Sequence, residues 1–186
     1  MTARQWYIYL LKNEVLESTH DDGTQSKRLC RTEILSPNID WETIWRRVRH
    51  HSLPSLVTSF LWKLVNDLLT TEERVNSTVG NTSPFCRYGC HEVVADLEHC
   101  FFKCIMTQDV GDWLLVLIEK FGPTSEANIL KLDICDNDAL VWIVASTLQF
   151  CWTQRVSSKK ADVQECIAHL RGESELMRNS DLSLLA

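Results

Sequence analysis

The stretch Cys86-Arg87-Tyr88-Gly89-Cys90, followed by His99 and Cys104, decides how this chain is read. Three sulfurs and one imidazole fall within a span shorter than twenty residues, which is the sequence form of a tetrahedral zinc site. Zinc takes thiolate sulfur and neutral imidazole nitrogen, and a filled Cys₃His shell is structural rather than catalytic. The three residues between Cys86 and Cys90 allow a tight turn with both sulfurs inward, and Gly89 supplies the backbone freedom such a turn needs. Ala95-Asp96-Leu97-Glu98 reads as the start of a helix capped by Asp96, with His99 on that helix. Cys104 lies five residues further on. Residues on one face of a regular helix are spaced by three or four, so the spacing predicts a loosened last turn.

The other readings of these residues are unconnected buried side chains, disulfides or free thiols. Two neighbours leave the ligand list open. His91 adjoins Cys90, and Cys100 adjoins His99. Adjacent helical residues differ in direction by about 100°, so Cys100 replaces His99 only if the helix rotates.

Outward from this knuckle the pattern is helical. Residues 3–16 have helical spacing of Trp6, Tyr7, Leu10, Leu11 and Val15, and a polar loop follows to Lys27. That helix is either a remnant of an upstream segment or an ordinary first helix. Asp40 caps a helix over 41–51, with Trp41, Ile44, Trp45 and Val48 on its apolar face and Arg46, Arg47, Arg49 and His50 largely opposite. Pro54 starts a helix to about Leu69, with a core stripe of Val57, Phe60, Leu61, Leu64, Val65 and Leu68. Thr70 and Glu73 form a capping box, and 76–84 reads as a polar loop. An amphipathic helix follows over 109–121, ended by Gly122-Pro123, and a buried helix over Asn137 to about Val156, with Leu140, Val144, Leu148 and Trp152 in one line. Ser158 is expected to cap a last helix to about Arg178, with Val163, Cys166, Ile167, Leu170 and Met177 on its inner face. No segment has strand periodicity. The expected fold is all-α: a small helical domain with an inserted CCHC zinc knuckle. The expected divisions are 1–28 (helix and mobile loop), 29–157 (zinc-binding domain, knuckle 86–104) and 158–186 (helix and frayed tail).

Composition narrows the function. The chain has 186 residues, 45% of them hydrophobic, with seven tryptophans, enough to fill one core. A net charge of −6 excludes a body built as a polyanion binder, so any nucleic-acid surface is a local patch. Eight cysteines without a signal peptide suit a reduced compartment, where clustered cysteine means metal. The expected location is intracellular, cytoplasmic or nuclear, and not secreted. Cys30, Cys135, Cys151 and Cys166 read as core or incidental thiols. The apolar run 139–152 is too short for a bilayer, which needs about 20 residues, and no membrane partner is expected. Catalytic signals are missing. The only Asp-Asp pair is Asp21-Asp22 in a polar loop, and no glycine-rich phosphate loop is present. Asp133, Asp136 and Asp138 read as a solvated acidic linker with a helix cap.

The run Glu92-Val93-Val94-Ala95-Asp96-Leu97-Glu98-His99-Cys100-Phe101-Phe102-Lys103-Cys104 resembles the reverse-transcriptase zinc-binding domain, which follows the polymerase in non-LTR (LINE-like) retrotransposon polyproteins. Trp41, Trp45, Phe60-Leu61-Trp62 and Leu69-Thr70-Thr71 match its upstream pattern, and the likeness covers about residues 41–155. It implies a non-catalytic module with one structural Zn²⁺ held by Cys86, Cys90, His99 and Cys104. It also implies element RNA or target DNA as partner, beside an upstream reverse transcriptase domain. Arg46, Arg47, Arg49 and His50, with Arg87, Tyr88 and Lys103 at the knuckle, are the candidate nucleic-acid contacts: cations hold phosphates and aromatics stack on unpaired bases. The competing reading of that basic group is the wet face of a helix in a zinc-stapled structural or protein-interaction domain, decayed or domesticated.

Overall fold

The structure, a computed structural model, describes residues 40–51 and 53–176, without the side chains of residues 41 and 174–176. The expected helix at 3–16, Cys30, Met177 and the C-terminal tail lie outside the described residues. Seven α-helices and one π-helical turn are present among the described residues, in chain order. The all-α expectation holds.

Helix α1, Trp41–Val48, starts where Asp40 accepts hydrogen bonds from the backbone N–H groups of Glu42 and Thr43, the expected N-cap. Ile44 and Val48 are buried, and Trp45 is half-buried. Helix α2, Ser55–Val65, follows Pro54, which occupies the cap position rather than the first helical one. Val57, Phe60, Leu61 and Leu64 form its buried face. The helix stops short of Leu69 because Asp67 turns left-handed (φ 53°), and this leaves Leu68 partly exposed while Leu69 turns inward.

Helix α3, Glu72–Val79, is capped by Thr71, whose hydroxyl accepts from the Arg74 N–H. The capping box was expected one residue earlier, on Thr70. Thr71 wins because it is the buried threonine of the pair, 3% exposed. The helix takes in 76–79, which the polar composition had suggested was loop, and ends at Gly80 (φ 79°). Helix α4, Gln108–Glu119, buries Val110, Gly111, Leu114, Leu117 and Ile118. The segment read as a plain acidic linker holds a short helix, α5, Glu126–Leu130, capped by Ser125.

Helix α6, Asp138–Val156, is the centre of the fold. Asn137 caps it by accepting from the Leu140 N–H. It is buried on nearly all sides from Leu140 to Cys151 because α2, α4, α7 and the π-helical turn all pack on it, and a helix apolar all round must be enclosed. No helix among the described residues is long and apolar enough to cross a membrane. The last helix, α7, Val163–Leu176, begins later than expected. Asp162 accepts from Gln164 N–H and Glu165 N–H, so Asp162 rather than Ser158 caps it. Ser158 instead turns the chain with φ 57°. Cys166 and Leu170 reach the core, while Val163 and Ile167 are half-buried.

Candidate metal centre

The knuckle begins as a two-residue pairing. Cys86 N–H donates to Val93 O and Ala95 N–H to Pro84 O, each at 2.9 Å, around an antiparallel bridge between Phe85 and Val94. The turn between them needs left-handed backbone at Gly89 (φ 84°), as the sequence predicts, and also at His91 (φ 42°) and Glu92 (φ 56°). That folding brings Cys86 and Cys90 to one side and leaves His91 exposed.

The other two donors come from a single wide turn. Asp96 Oδ1 accepts from His99 N–H at 2.7 Å, the expected cap. The backbone then widens: Cys104 N–H bonds to His99 O at 2.7 Å, an i→i+5 hydrogen bond, and His99–Lys103 is one π-helical turn. Such turns are rare and cluster at functional sites. Here the reason is geometric. A five-residue spacing lies off the face of an α-helix but faces one way across a π turn, so His99 and Cys104 converge.

The four donor atoms of Cys86, Cys90, His99 and Cys104 lie within 4.8 Å of one another. Cys104 Sγ is 3.7 Å from Cys86 Sγ and 3.9 Å from Cys90 Sγ. A tetrahedron with zinc–sulfur bonds of about 2.3 Å has a sulfur–sulfur edge of about 3.8 Å, so the sulfurs stand at metal-ligand separations, far beyond the ~2.0 Å of a disulfide. His99 is 3% exposed, and both its ring nitrogens are buried without a hydrogen-bond partner. An orphaned buried polar atom costs about 1–3 kcal/mol, and a metal bond to one nitrogen removes part of that cost. Burial also lowers the pKa of His99, keeping the imidazole in the neutral form that ligates. Burial pushes the Cys104 thiol up to about 12, so metal uptake must displace its proton. The donor set fits zinc. Cys100 points away, with Sγ 3.8 Å from Ala95 O, and the helix has not rotated to exchange it for His99.

Behind the donors stands a residue the sequence reading passed over. Arg155, in the last turn of α6, is 1% exposed. Its Nη2 lies 3.7 Å from Cys86 Sγ, and its two terminal nitrogens reach the Glu72 carboxylate at 3.0–3.3 Å. The guanidinium sits 4.8 Å from the Tyr88 ring centre, and the Tyr88 hydroxyl donates to Arg155 O. Its place is 69 positions from Cys86, so no spacing rule could have linked them. The one sequence signal was an arginine in the last turn of a helix whose middle is largely apolar.

The candidate nucleic-acid residues are scattered and mostly paired. Arg46 contacts Asp136 at 3.4 Å. Arg47 is not on the wet face of α1: it is 7% exposed and donates to Leu132 O at 2.6 Å, with Asp136 at 3.6 Å. The loop after α5 covers that face, and the buried carbonyl there needs a donor. Arg49 is exposed and stacks over Trp45 at 5.9 Å. His50 faces Asp138 at 3.3 Å. Arg87 binds Glu72 at 3.0 Å and lies over Tyr88, whose half-buried ring is thereby covered. Lys103 reaches both Glu98 and Glu126, and these partners raise its pKa.

Residues 25–111 match the model of a protein family described as zinc-binding in reverse transcriptase. That segment is therefore similar to reverse-transcriptase zinc-binding domains. All four donors lie inside it. The family's match ends within α4, so α6, α7 and Arg155 lie beyond the segment it defines. No curated protein and no solved structure matches the chain.

Proposed function

We propose that this chain is a non-catalytic structural zinc module of the kind that accompanies a retrotransposon-like reverse transcriptase, and that it helps to hold RNA or DNA near the polymerase. The observation that carries the zinc reading is the convergence of Cys86, Cys90, His99 and Cys104 within 4.8 Å, closed on all four positions by protein donors. A closed shell offers no open site for substrate, so the metal stabilises the fold. The nucleic-acid role is supported by the family's association with reverse transcriptase and by the exposed cations Arg46, on α1, and Arg49, just after it. A protein-interaction module is the second reading. It is favoured by the carboxylate partners of Arg46, Arg87 and Lys103, which a phosphate would have to displace.

Two measurements test this. Native mass spectrometry of protein expressed with zinc should show one metal. A single Ser at Cys86, Cys90 or Cys104, or Ala at His99, should abolish tight binding, while Cys100→Ser should not. A metal-free wild type would falsify the zinc reading. Electrophoretic shifts with single-stranded RNA and DNA at two salt concentrations then decide the second point. Binding that weakens as salt rises, through counterion release, supports nucleic-acid contact, and no shift at either salt makes the interaction reading the leading one.

A further inference from the structure

We propose that Arg155 is a positioning residue of the metal centre. From the last turn of α6 its guanidinium holds the Cys86 sulfur and balances the charge of the three-thiolate site, so tight zinc binding needs the C-terminal helices as well as the knuckle. This rests on the reading that the four donors hold zinc.

The argument begins with cost. Arginine stays charged in proteins, and taking an unpaired charge out of water costs several kcal/mol. Arg155 is nevertheless 1% exposed. Glu72 answers for one face of its charge, at 3.0–3.3 Å from both terminal nitrogens, but Glu72 is shared with Arg87 at 3.0 Å. Two guanidinium groups on one carboxylate leave one positive charge in excess. Three thiolates around Zn²⁺ leave one negative charge in excess. The two excesses meet where Arg155 Nη2 lies 3.7 Å from Cys86 Sγ, and the local charge closes to neutral.

Position supports the same conclusion. Tyr88 lies between the first two ligands and is held twice by Arg155: its ring under the guanidinium at 4.8 Å and its hydroxyl on the Arg155 carbonyl. Arg155 therefore touches both the Cys86 sulfur and the turn that aims it: the guanidinium meets the sulfur and the Tyr88 ring, and the backbone carbonyl meets the Tyr88 hydroxyl. Partners that orient metal ligands in this way typically contribute 10–100-fold in metal affinity. The competing explanation is a plain ion pair that staples α6 to α3 and has no bearing on sulfur.

The test uses the full chain. Zinc affinity is measured by chelator competition. The thiolate-to-metal charge-transfer band is measured on the Co²⁺ form, with helicity checked under excess zinc. Arg155→Met should weaken zinc 10–100-fold and move the band to lower energy, because the sulfur loses its donor. Arg155→Lys should recover part of both. Glu72→Gln should keep zinc affinity within about threefold of wild type and leave the band in place or move it to higher energy, since the guanidinium then acts on sulfur alone. Wild-type behaviour of Arg155→Met overturns the proposal, and so do equal losses in Arg155→Met and Glu72→Gln with unmoved bands. If Arg155→Met does not fold, Glu72→Gln decides: a tenfold or greater loss overturns the proposal. A wild type that takes up no zinc overturns the zinc reading itself. A zinc-binding wild type with an unaffected Arg155→Met overturns only this inference.

Discussion

Gly111→Ala is the substitution for which local and tertiary reasoning give opposite signs. Gly111 lies inside α4, where replacing Gly by Ala stabilises a helix by about 0.8–1.0 kcal/mol on propensity alone. A Cβ on Gly111 would stand 2.7 Å from Phe101 O and 3.0 Å from both Phe102 Cα and Phe102 Cδ1. Even weak C–H···O contacts keep carbon and oxygen about 3.3–3.6 Å apart. The two nearest atoms are backbone of the π-helical turn, so no side chain can swing aside. Phe101 and Phe102 are 1% and 4% exposed, so the turn cannot retreat into solvent either. Overpacking of this kind costs about 1–3 kcal/mol, and a site walled by backbone belongs at the upper end. The net expectation is a loss of about 1–2 kcal/mol. For a chain of this size that lowers Tm by about 2–8 °C, read by calorimetry on the zinc-loaded protein. Because the displaced turn carries His99 and Cys104, zinc release to a chelator should also quicken. A Tm equal to or above wild type would show that propensity dominates and that the close approach is not a constraint.

Other expectations follow from the same structure. Chelation should open residues 85–105 before the helical core: zinc in isolated fingers supplies about 10–16 kcal/mol, while α6 is enclosed by apolar neighbours without metal. Hydrogen exchange with and without chelator checks this, and uniform protection in both samples would count against it. Arg47→Gln should lose about 1.5–3 kcal/mol, the worth of a buried charged hydrogen bond, to Leu132 O, whereas Arg46→Gln and Arg49→Gln should change urea midpoints little, since exposed pairs contribute about 0–1 kcal/mol. Alkaline pH should destabilise the fold through its core thiols. Burial pushes Cys166 up to about 12 from 9.0 and raises Cys151 as well. Below pH 9 folded and unfolded thiols are both protonated and nothing is lost. Above it only the unfolded thiol ionises, so stability falls by about 1.4 kcal/mol per pH unit for each such thiol until the folded one titrates. Cys166→Ala should flatten that slope in urea titrations between pH 8 and 10.5, and a parallel slope would argue against the mechanism.

The site was more legible than its surroundings. Donor spacing is a local property, so Cys86, Cys90, His99 and Cys104 could be read directly, and the awkward fifth residue before Cys104 already asked for a widened turn. Apolar periodicity located α1, α2 and α4 because each buries a face wide enough to pattern its sequence, and α6 was legible as one long apolar run. It placed caps less well. Thr70 and Thr71 both suit a cap, and only burial of Thr71 separates them. The Asp162 cap is equally plain in hindsight, but Ser158 offered the same chemistry four residues earlier. Helix α5 has five residues, too few to show a period. Arg47 illustrates the remaining gap. On a helical wheel it lies at the edge of the apolar face, about 60° from both Ile44 and His50, but a loop from elsewhere in the chain presents it with a carbonyl, and no window around residue 47 contains that fact.

The wide separation of Arg155 from the ligands sets an order of events in time. The four donors close a loop between Cys86 and Cys104, a sequence separation of 18, and short loops close at small entropic cost. Arg155 follows Cys104 by 51 positions (155 − 104). At translation speeds of about 5–20 residues per second, roughly 3–10 s pass between synthesis of the last sulfur and synthesis of the guanidinium. The nascent chain therefore has a complete set of donors for metal before the helix that braces them has been made. Under the role proposed for Arg155, metal capture begins before α6 is made and tightens about 10–100-fold when α6 arrives.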